Sequence, residues 1–470
     1  MKKTKLICTI GPSCMDEEKL KDLILSGMNV ARLNLSHCSH DFAEKVVHRI
    51  RNLNKKLGTN VGIIVDTKGP EIRVGTFKDD AMVLNDGDTV ILTPDKADGT
   101  GGRINISQRK LSLDLDIDTK ILLDEGNMEL IVTGIENANI TCRVVRGGVL
   151  KNNKSINVPK VDLNIDFLSI TDKSDILFAS SLNVDFISLS FVRNANDVLD
   201  VNDMLISEKN EHTQIISKIE CQSALDDLEN IIKVSDGIMI ARGDLGVEVE
   251  LEKLPCIQKR IVAQTRKKNK MCIVSTQMLP SMENNLIPTR AEVSDVANAA
   301  LDGVDAVMLN TETAMGKYPV EATKMMSKII EETENGTLDI VSNIVSDEKN
   351  YDATTVLSKS AVDAANMLHA KAIVTSTTSG YTARRVSAYR PKCPIIATTP
   401  IKGVAESLSL NWGITAVHVS KANSTDEIIE IAKEEVSKLM KIDKDDKIVV
   451  TGGFPIKKSR STNFIKIEEM

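Results

Sequence analysis

The sequence has few aromatic residues, 3% of the chain, and no uninterrupted apolar stretch that approaches the length of a membrane span. Its eight cysteines are scattered, with no CxxC pair and no metal-ligand spacing. The N-terminal MKKTKLICTI carries neither a long apolar segment nor a small-residue cleavage site. Basic and acidic residues number 59 and 66, giving a net charge of −7 without a basic stripe. These absences exclude a membrane-spanning protein, a disulfide scaffold and a nucleic-acid partner, and they describe a reduced, cytoplasmic protein. No internal repeat or low-complexity tract occurs. What is present is 470 residues, 42% of them hydrophobic, enough for more than one core.

Eight short apolar, β-branched runs recur between segments of helical periodicity. They are Lys5 to Ile10, Asn29 to Leu35, Val61 to Thr67, Phe186 to Val192, Gln214 to Glu220, Gly237 to Arg242, Met271 to Gln277 and Asp305 to Asn310. Eight strand–helix units predict an α/β protein built on a (β/α)8 barrel, the TIM barrel. A long gap separates the third run from the fourth. From Ile72 to about Ile165 it alternates with period two between turn pairs, as in AMVLNDGDTVILT and KILLDEGNMELIVTG, which predicts an inserted all-β domain. Its entry point, at the loop end of the barrel, suits a lid. After a polar connector, strands and helices alternate again from near Thr354, predicting a C-terminal α/β domain with a largely parallel sheet. The expected division is a barrel over 1–70 and 166–340, a lid over 71–165 and a C-terminal domain over 350–470.

Polar residues gather at the C-terminal ends of the barrel runs. Residues two apart on a strand face one side, so Lys218 and Glu220 of ISKIE point together into the barrel mouth. Arg32, Asn34 and Ser36, then Asp66 and Thr67, then Asp244 and Thr276 fall at the same level of neighbouring strands. Two carboxylates on successive strands, Glu220 and Asp244, suit one Mg2+ with sites left for water and substrate oxygens. Gly243 is expected to let the chain bend sharply after its strand, with the GDLG amides facing an anion. Lys218 supplies a compact cation for a transferring phosphoryl group or an enolate, and Arg32 and Arg73 are forks for phosphate oxygens. Asn34, Ser36, Asp66 and Thr67 offer oxygens for a monovalent cation, or Asn34 and Ser36 only satisfy strand-end backbone groups.

The stretches ARLNLSH, VDTKGPEIR, ISKIE, IMIARGDLGVE, STQMLPSM, PTRAEVSDVANAALDGVDAVML and GKYPVEA resemble the pyruvate kinases, in order and at that family's spacing over nearly the whole chain. The resemblance implies a barrel, an inserted lid and a C-terminal α/β domain, in the bacterial form without an extra C-terminal domain. It implies transfer of the phosphoryl group of phosphoenolpyruvate to ADP, giving pyruvate and ATP as the final step of glycolysis. By position, Mg2+ (or Mn2+) would be held by Glu220 and Asp244, and K+ by Asn34, Ser36, Asp66 and Thr67. The substrate's pyruvoyl end would lie against Gly243 and Asp244. Arg32 would contact the phosphoryl group, Lys218 would stabilise transfer and the enolate, and Thr276 would belong to the proton path to the enolate carbon. His37, Arg73 and Lys154 would serve the nucleotide or phosphate. Glu71 goes with K+ dependence.

The family pattern also implies a homotetramer and an allosteric phosphorylated effector held by Thr377, Thr378, Ser379, Gly380 and Thr382 of TSTTSGYTARRV. Lys457, Lys458 and Arg460 lie in a following segment expected to close over it. The chain departs from the pattern at Cys221, Ser223, Pro280, Asn310 and Thr311, positions that bear on loop geometry and not on any ligand. Two rival readings are a different Mg2+-dependent barrel acting on phosphoenolpyruvate or pyruvate, and a catalytically silent sugar-phosphate sensor. The first leaves the lid and the K+ set unexplained. The intact Lys218, Glu220, Asp244 and Thr276 argue against the second.

Overall fold

A computed structural model describes residues 2–210, 212–337, 352–453 and 462–470. Eight parallel strands close into a barrel: Lys5–Thr9, Val30–Asn34, Gly62–Asp66, Phe186–Leu189, Gln214–Ile219, Gly237–Ala241, Met271–Ser275 and Ala306–Leu309. These segments are apolar nearly throughout because both their faces are covered. Their outward residues, among them Leu33, Val65, Ile187, Ile240 and Val274, pack beneath the surrounding helices. Their inward residues, Ile7, Val30, Ile64, Phe186, Ile216, Met239, Ile273 and Met308, fill the barrel. Two residues further along each strand the inward row becomes Thr9, Arg32, Asp66, Ser188, Lys218, Ala241, Ser275 and Asn310. Period-two alternation thus turns the core polar at the C-terminal end without changing fold.

Each strand is shorter than its apolar run, because the chain leaves the ladder early to form loops. Phe191 (φ 54°), Thr276 (φ 68°) and Gln277 (φ 54°) adopt left-handed conformations just past their strands. The loop helices are fixed locally: Thr289 and Glu292 form a reciprocal cap on Arg290–Leu301, and Ser169 with Asp172 does the same for Ile170–Ser181. Glu292 also accepts hydrogen bonds from Ser281 N (2.7 Å) and Ser281 Oγ (2.5 Å), which pins the loop after Pro280.

The insertion is the expected β domain, a seven-stranded, largely antiparallel sheet running from Ile72–Arg73 to Ser155–Asn157 in sequence, with a separate pair of Ala81–Leu84 and Gly148–Lys151. Its own core includes Leu92, Ile104, Ile121, Leu130, Val132 and Ile140. It touches the barrel through Asn157 Nδ2, which donates to Glu248 Oε1 (3.3 Å), and through the Lys160–Glu250 ion pair (3.1 Å).

The C-terminal sheet runs Ile414–His418, Ile395–Thr399, Ala372–Ser376, Lys447–Gly452, Phe464–Glu469. The first four strands are parallel and the last is an antiparallel edge. The domain sits under the N-terminal ends of the barrel strands. Gly413 N donates to Lys3 O (2.8 Å), Lys5 Nζ to Ile414 O (2.5 Å), and Gln214 Nε2 to Ser407 O (3.1 Å). Asp305 Oδ1 accepts from Arg390 Nη2 (3.1 Å) and Trp412 N (3.2 Å).

Candidate active site at the barrel mouth

The polar inward row forms one chain of charges across the barrel. Arg32 Nη2 lies 2.8 Å from Asp66 Oδ2, and Lys218 Nζ lies 3.6 Å from the same oxygen and 2.8 Å from Glu220 Oε1. Arg32 Nη1 donates to Thr9 Oγ1 (3.0 Å) and reaches Asn310 Oδ1 at 3.5 Å, so the first, second, third and eighth strands meet around it. Lys218 Nζ donates to Ser190 Oγ (2.9 Å), and that hydroxyl donates to Thr67 O (2.8 Å). Glu220 Oε2 accepts from Phe191 N at 2.6 Å, an amide aimed by the left-handed turn after the fourth strand.

The electrostatics of this row are out of balance. Burial raises the Asp66 carboxyl, but the Arg32 and Lys218 cations outweigh it and hold the pKa below the usual range. Burial depresses Lys218, and Glu220 and Asp66 more than restore it, leaving its pKa raised. Glu220 and Asp244 are both pushed up, first by burial; Asp244 adds to the shift at Glu220, and Glu71 and Glu125 add to that at Asp244. Asp66 Oδ1 and Glu220 Oε1 are buried and accept no aligned hydrogen bond, the latter despite its 2.8 Å approach to Lys218. Buried carboxylate oxygens without donors, beside further carboxylates, need positive charge. The donor set therefore fits a cation held by Glu220 and Asp244. Among the described residues no group of three or more His, Cys, Asp or Glu side chains is arranged to hold a metal. A site built from two carboxylates would be completed by water and substrate oxygens.

The other oxygens expected to hold a monovalent cation also carry local bonds. Asn34 Oδ1 accepts from Ser36 N (3.0 Å), and Thr67 Oγ1 accepts from Ser190 N (3.3 Å). Glu71 is gripped by Arg73 through Nε (2.7 Å) and Nη2 (3.1 Å), and Arg73 Nη1 donates to Asn153 O (2.8 Å). His37 stands exposed at the rim, and its pKa is lowered first by partial desolvation, then by Arg73, with Arg32 and Lys68 adding. Arg32, His37, Lys68 and Arg73 thus surround one side of the mouth. Lys154 does not join them: it pairs with Asp124 at 2.7 Å within the lid.

Gly243 corrects one expectation. It supplies no bend, because the strand passes directly into the helix Arg242–Glu248 and Gly243 has no left-handed φ. Its amide donates to Thr276 Oγ1 (2.9 Å). A side chain at 243 would meet Thr276 Cγ2 at 3.5 Å, so glycine keeps the ground above Thr276 clear. The strained turn lies one strand over, at Thr276 itself.

Sequence reasoning missed Ser190, Thr9 and the contact of Asn310 with Arg32. The usable signal was position: each continues the inward row of a barrel strand.

In the C-terminal domain, Thr377, Thr378, Ser379 and Thr382 line a small cavity with Thr398, Ser420 and Thr462. Gly380 backs this cavity without lining it. Its φ is +77°, its amide donates to Thr377 Oγ1 (2.9 Å), and a Cβ there would come within 3.0 Å of Leu408 and Arg384. Lys457, Lys458 and Arg460 lie outside the described residues.

Comparison with known proteins points to one family along nearly the whole chain. The family model described as pyruvate kinase, barrel domain, matches residues 1–323, and that described as pyruvate kinase, alpha/beta domain, matches residues 355–468. The chain is similar to the pyruvate kinase of Clostridium perfringens, 41% identical over 475 residues and 100% of both chains. It is also similar to the pyruvate kinase of Geobacillus stearothermophilus, 41% identical over 99% of this chain and 80% of that one. A crystal structure of a pyruvate kinase from Cryptosporidium parvum superposes with a TM-score of 0.92 at 35% identity, covering 100% of this chain and 96% of the other. Neither rival reading accounts for a match of both domains at this identity. The chain belongs to the pyruvate kinase family, phosphotransferases of glycolysis.

Proposed function

We propose that, in the transfer of the phosphoryl group from phosphoenolpyruvate to ADP that family membership gives this chain, the polar end of the barrel is the reacting site. The observation that carries this reading is the buried row Arg32, Asp66, Lys218, Glu220, in which each charge lies within ion-pair reach of the next. Phosphoryl transfer needs little covalent help from protein, so the task of such a row is to position charge.

Glu220 and Asp244 would hold the divalent ion, and Asn34, Ser36, Asp66 and Thr67 would hold K+, with Mg2+ or Mn2+ as the divalent species. When bound, these cations supply charge neutralisation at the phosphoryl oxygens and the enolate oxygen. Arg32, held by Asp66 and Thr9, presents its guanidinium to the phosphoryl group. Lys218 stays protonated because Glu220 and Asp66 outweigh its burial, so it serves as a fixed cation for the transferring group and for the enolate left behind. Gly243 and Asp244 face the pyruvoyl end, and Thr276 belongs to the path that protonates the enolate carbon. His37 and Arg73 serve the nucleotide phosphates; Lys154, paired with Asp124, takes the most distant part in that task.

The hydroxyl-lined C-terminal cavity would take a phosphorylated effector. A cytoplasmic homotetramer is the assembly and location that the family resemblance supports. No described helix is long and apolar enough to cross a membrane.

The test couples pyruvate formation from phosphoenolpyruvate and ADP to lactate dehydrogenase, for wild type and Lys218→Met, with and without K+. Activity that requires Mg2+, rises with K+ and collapses in the variant supports the assignment. Equal rates with K+ and with only a bulky organic cation would overturn the K+ site.

A further inference from the structure

We propose that Arg242 and Asp295 are positioning residues for the reaction, a clamp that holds Thr276 and the Gly243 amide in one geometry. The inference rests on the reading of Thr276 and Gly243 as groups that face substrate.

Its starting point is the backbone at Thr276. A β-branched residue at φ 68°, followed by Gln277 at φ 54°, is a conformation that L side chains avoid, and it persists only where surrounding contacts impose it. Two successive left-handed residues bring their carbonyls to one side, and Arg242 receives both. Its Nη2 donates to Thr276 O (2.7 Å) and Gln277 O (3.1 Å), and its Nε donates to Thr276 O (3.2 Å). Its Nη1 lies 2.8 Å from Asp295 Oδ1 and 2.7 Å from Oδ2. The side chain of Arg242 is 9% exposed, so these bonds replace its water almost completely.

The position of Arg242 in the chain gives the clamp its reach. It opens the helix Arg242–Glu248, next to Gly243 and Asp244, while its side chain grips the loop after the adjacent seventh strand. With the carbonyls of residues 276 and 277 turned toward Arg242, the Thr276 hydroxyl is left toward Gly243. It accepts from Gly243 N (2.9 Å) and donates to Ser275 O (2.5 Å). One guanidinium therefore ties the loops after two strands, and Asp295, on the helix Arg290–Leu301, ties the guanidinium. An ammonium has no planar fork and cannot serve both carbonyls and the carboxylate in this arrangement.

The experiment uses full-length Arg242→Lys, Arg242→Ala, Asp295→Asn and Thr276→Val. It follows two readouts: ATP formation from phosphoenolpyruvate, and exchange of pyruvate methyl protons with D2O by NMR, which isolates the enolate half of the reaction. Thermal melting and circular dichroism report folding. Arg242→Lys is expected to lose on the order of 100-fold in methyl exchange and in kcat, as a displacement of about 1 Å at a reacting centre costs. KM for phosphoenolpyruvate is expected to change far less. Asp295→Asn is expected to lose about tenfold in exchange with an unchanged melting temperature, which covers the case in which Arg242→Lys does not fold. Added guanidinium restoring exchange to Arg242→Ala would support the clamp, since a purely structural role does not respond to it. Exchange and kcat within twofold of wild type in folded Arg242→Lys and in Asp295→Asn, beside a slow Thr276→Val, would overturn the clamp alone. Full exchange in Thr276→Val would overturn the reading beneath it, and the clamp with it.

Discussion

Ser190→Ala removes one oxygen from the charged row and leaves every charge in place. The hydroxyl accepts from Lys218 Nζ (2.9 Å) and donates to Thr67 O (2.8 Å). A hydrogen bond to a charged group contributes about 1.5–3 kcal/mol. Lys218 keeps Glu220 at 2.8 Å and Asp66 at 3.6 Å, so the lower part of that range applies. About 1.5 kcal/mol corresponds to roughly a tenfold loss in kcat/KM. The assay is the coupled one at saturating Mg2+ and K+, run on the single variant, on Lys218→Met and on the double variant. If Ser190 acts through Lys218, its effect disappears in the Lys218→Met background. A loss below twofold in the single variant, or the same tenfold loss with and without Lys218, would refute the reasoning.

Three further outcomes are expected. Glu220→Gln takes away one of the two carboxylates at the divalent site and should raise the Mg2+ needed for half-maximal activity at least about tenfold, since even an outer partner of a metal site contributes 10- to 100-fold; Mn2+ titration by EPR reads the same affinity without turnover. Lys5→Met should stabilise the fold near pH 7. Burial lowers the Lys5 pKa from 10.5 to about 8, so the unfolded chain binds the proton more readily, and native stability falls as pH drops from 10.5 through 8. That gap costs about 3 kcal/mol, of which the lost bond to Ile414 O returns about 1; urea melts at pH 7 and pH 10 should show a gain at pH 7 and a flatter pH profile, and an unchanged profile would refute it. Ser379→Asp places a carboxylate in the hydroxyl-lined cavity and should abolish the response to phosphorylated sugars, as read by calorimetry and by activation curves.

The barrel was legible because a strand covered on both faces must be apolar nearly throughout, and eight such runs stand in the sequence between helices. The site was legible for a related reason: residues two apart share a face, so the step from Ile216 to Lys218 to Glu220 marks where the core ends and the mouth begins. The same argument applies to Phe186, Ser188 and Ser190, yet a serine at a strand end has no charge to draw attention to it. Arg242 was legible as a cation beside the site, but its task is set by the φ of Thr276, and nothing in the run STQM announces that a β-branched residue is left-handed. Gly243 misled for the converse reason: glycine permits a bend, and here it instead leaves room over Thr276. The edge strand Phe464–Glu469 escaped notice because FIKIEE mixes charge into both faces, as a strand paired on one side only can do.

Strand polarity also explains how the two halves of the molecule are joined. The C-terminal domain is bonded to the N-terminal ends of the strands whose C-terminal ends carry the proposed site. On the fifth strand Gln214 donates to Ser407 O, and four and six residues on stand Lys218 and Glu220. On the first strand Lys5 reaches Ile414 O, while Thr9 supports Arg32. Asp305 binds Arg390 and Trp412 immediately before the eighth strand, and Asn310 contacts Arg32 immediately after it. A strand rises about 3.3 Å per residue, so Gln214 and Glu220 are separated by about 20 Å of rigid ladder. The hydrogen bonds that attach the C-terminal domain therefore fall on, or directly beside, the same three strands that carry Thr9, Lys218, Glu220 and Asn310 at the mouth.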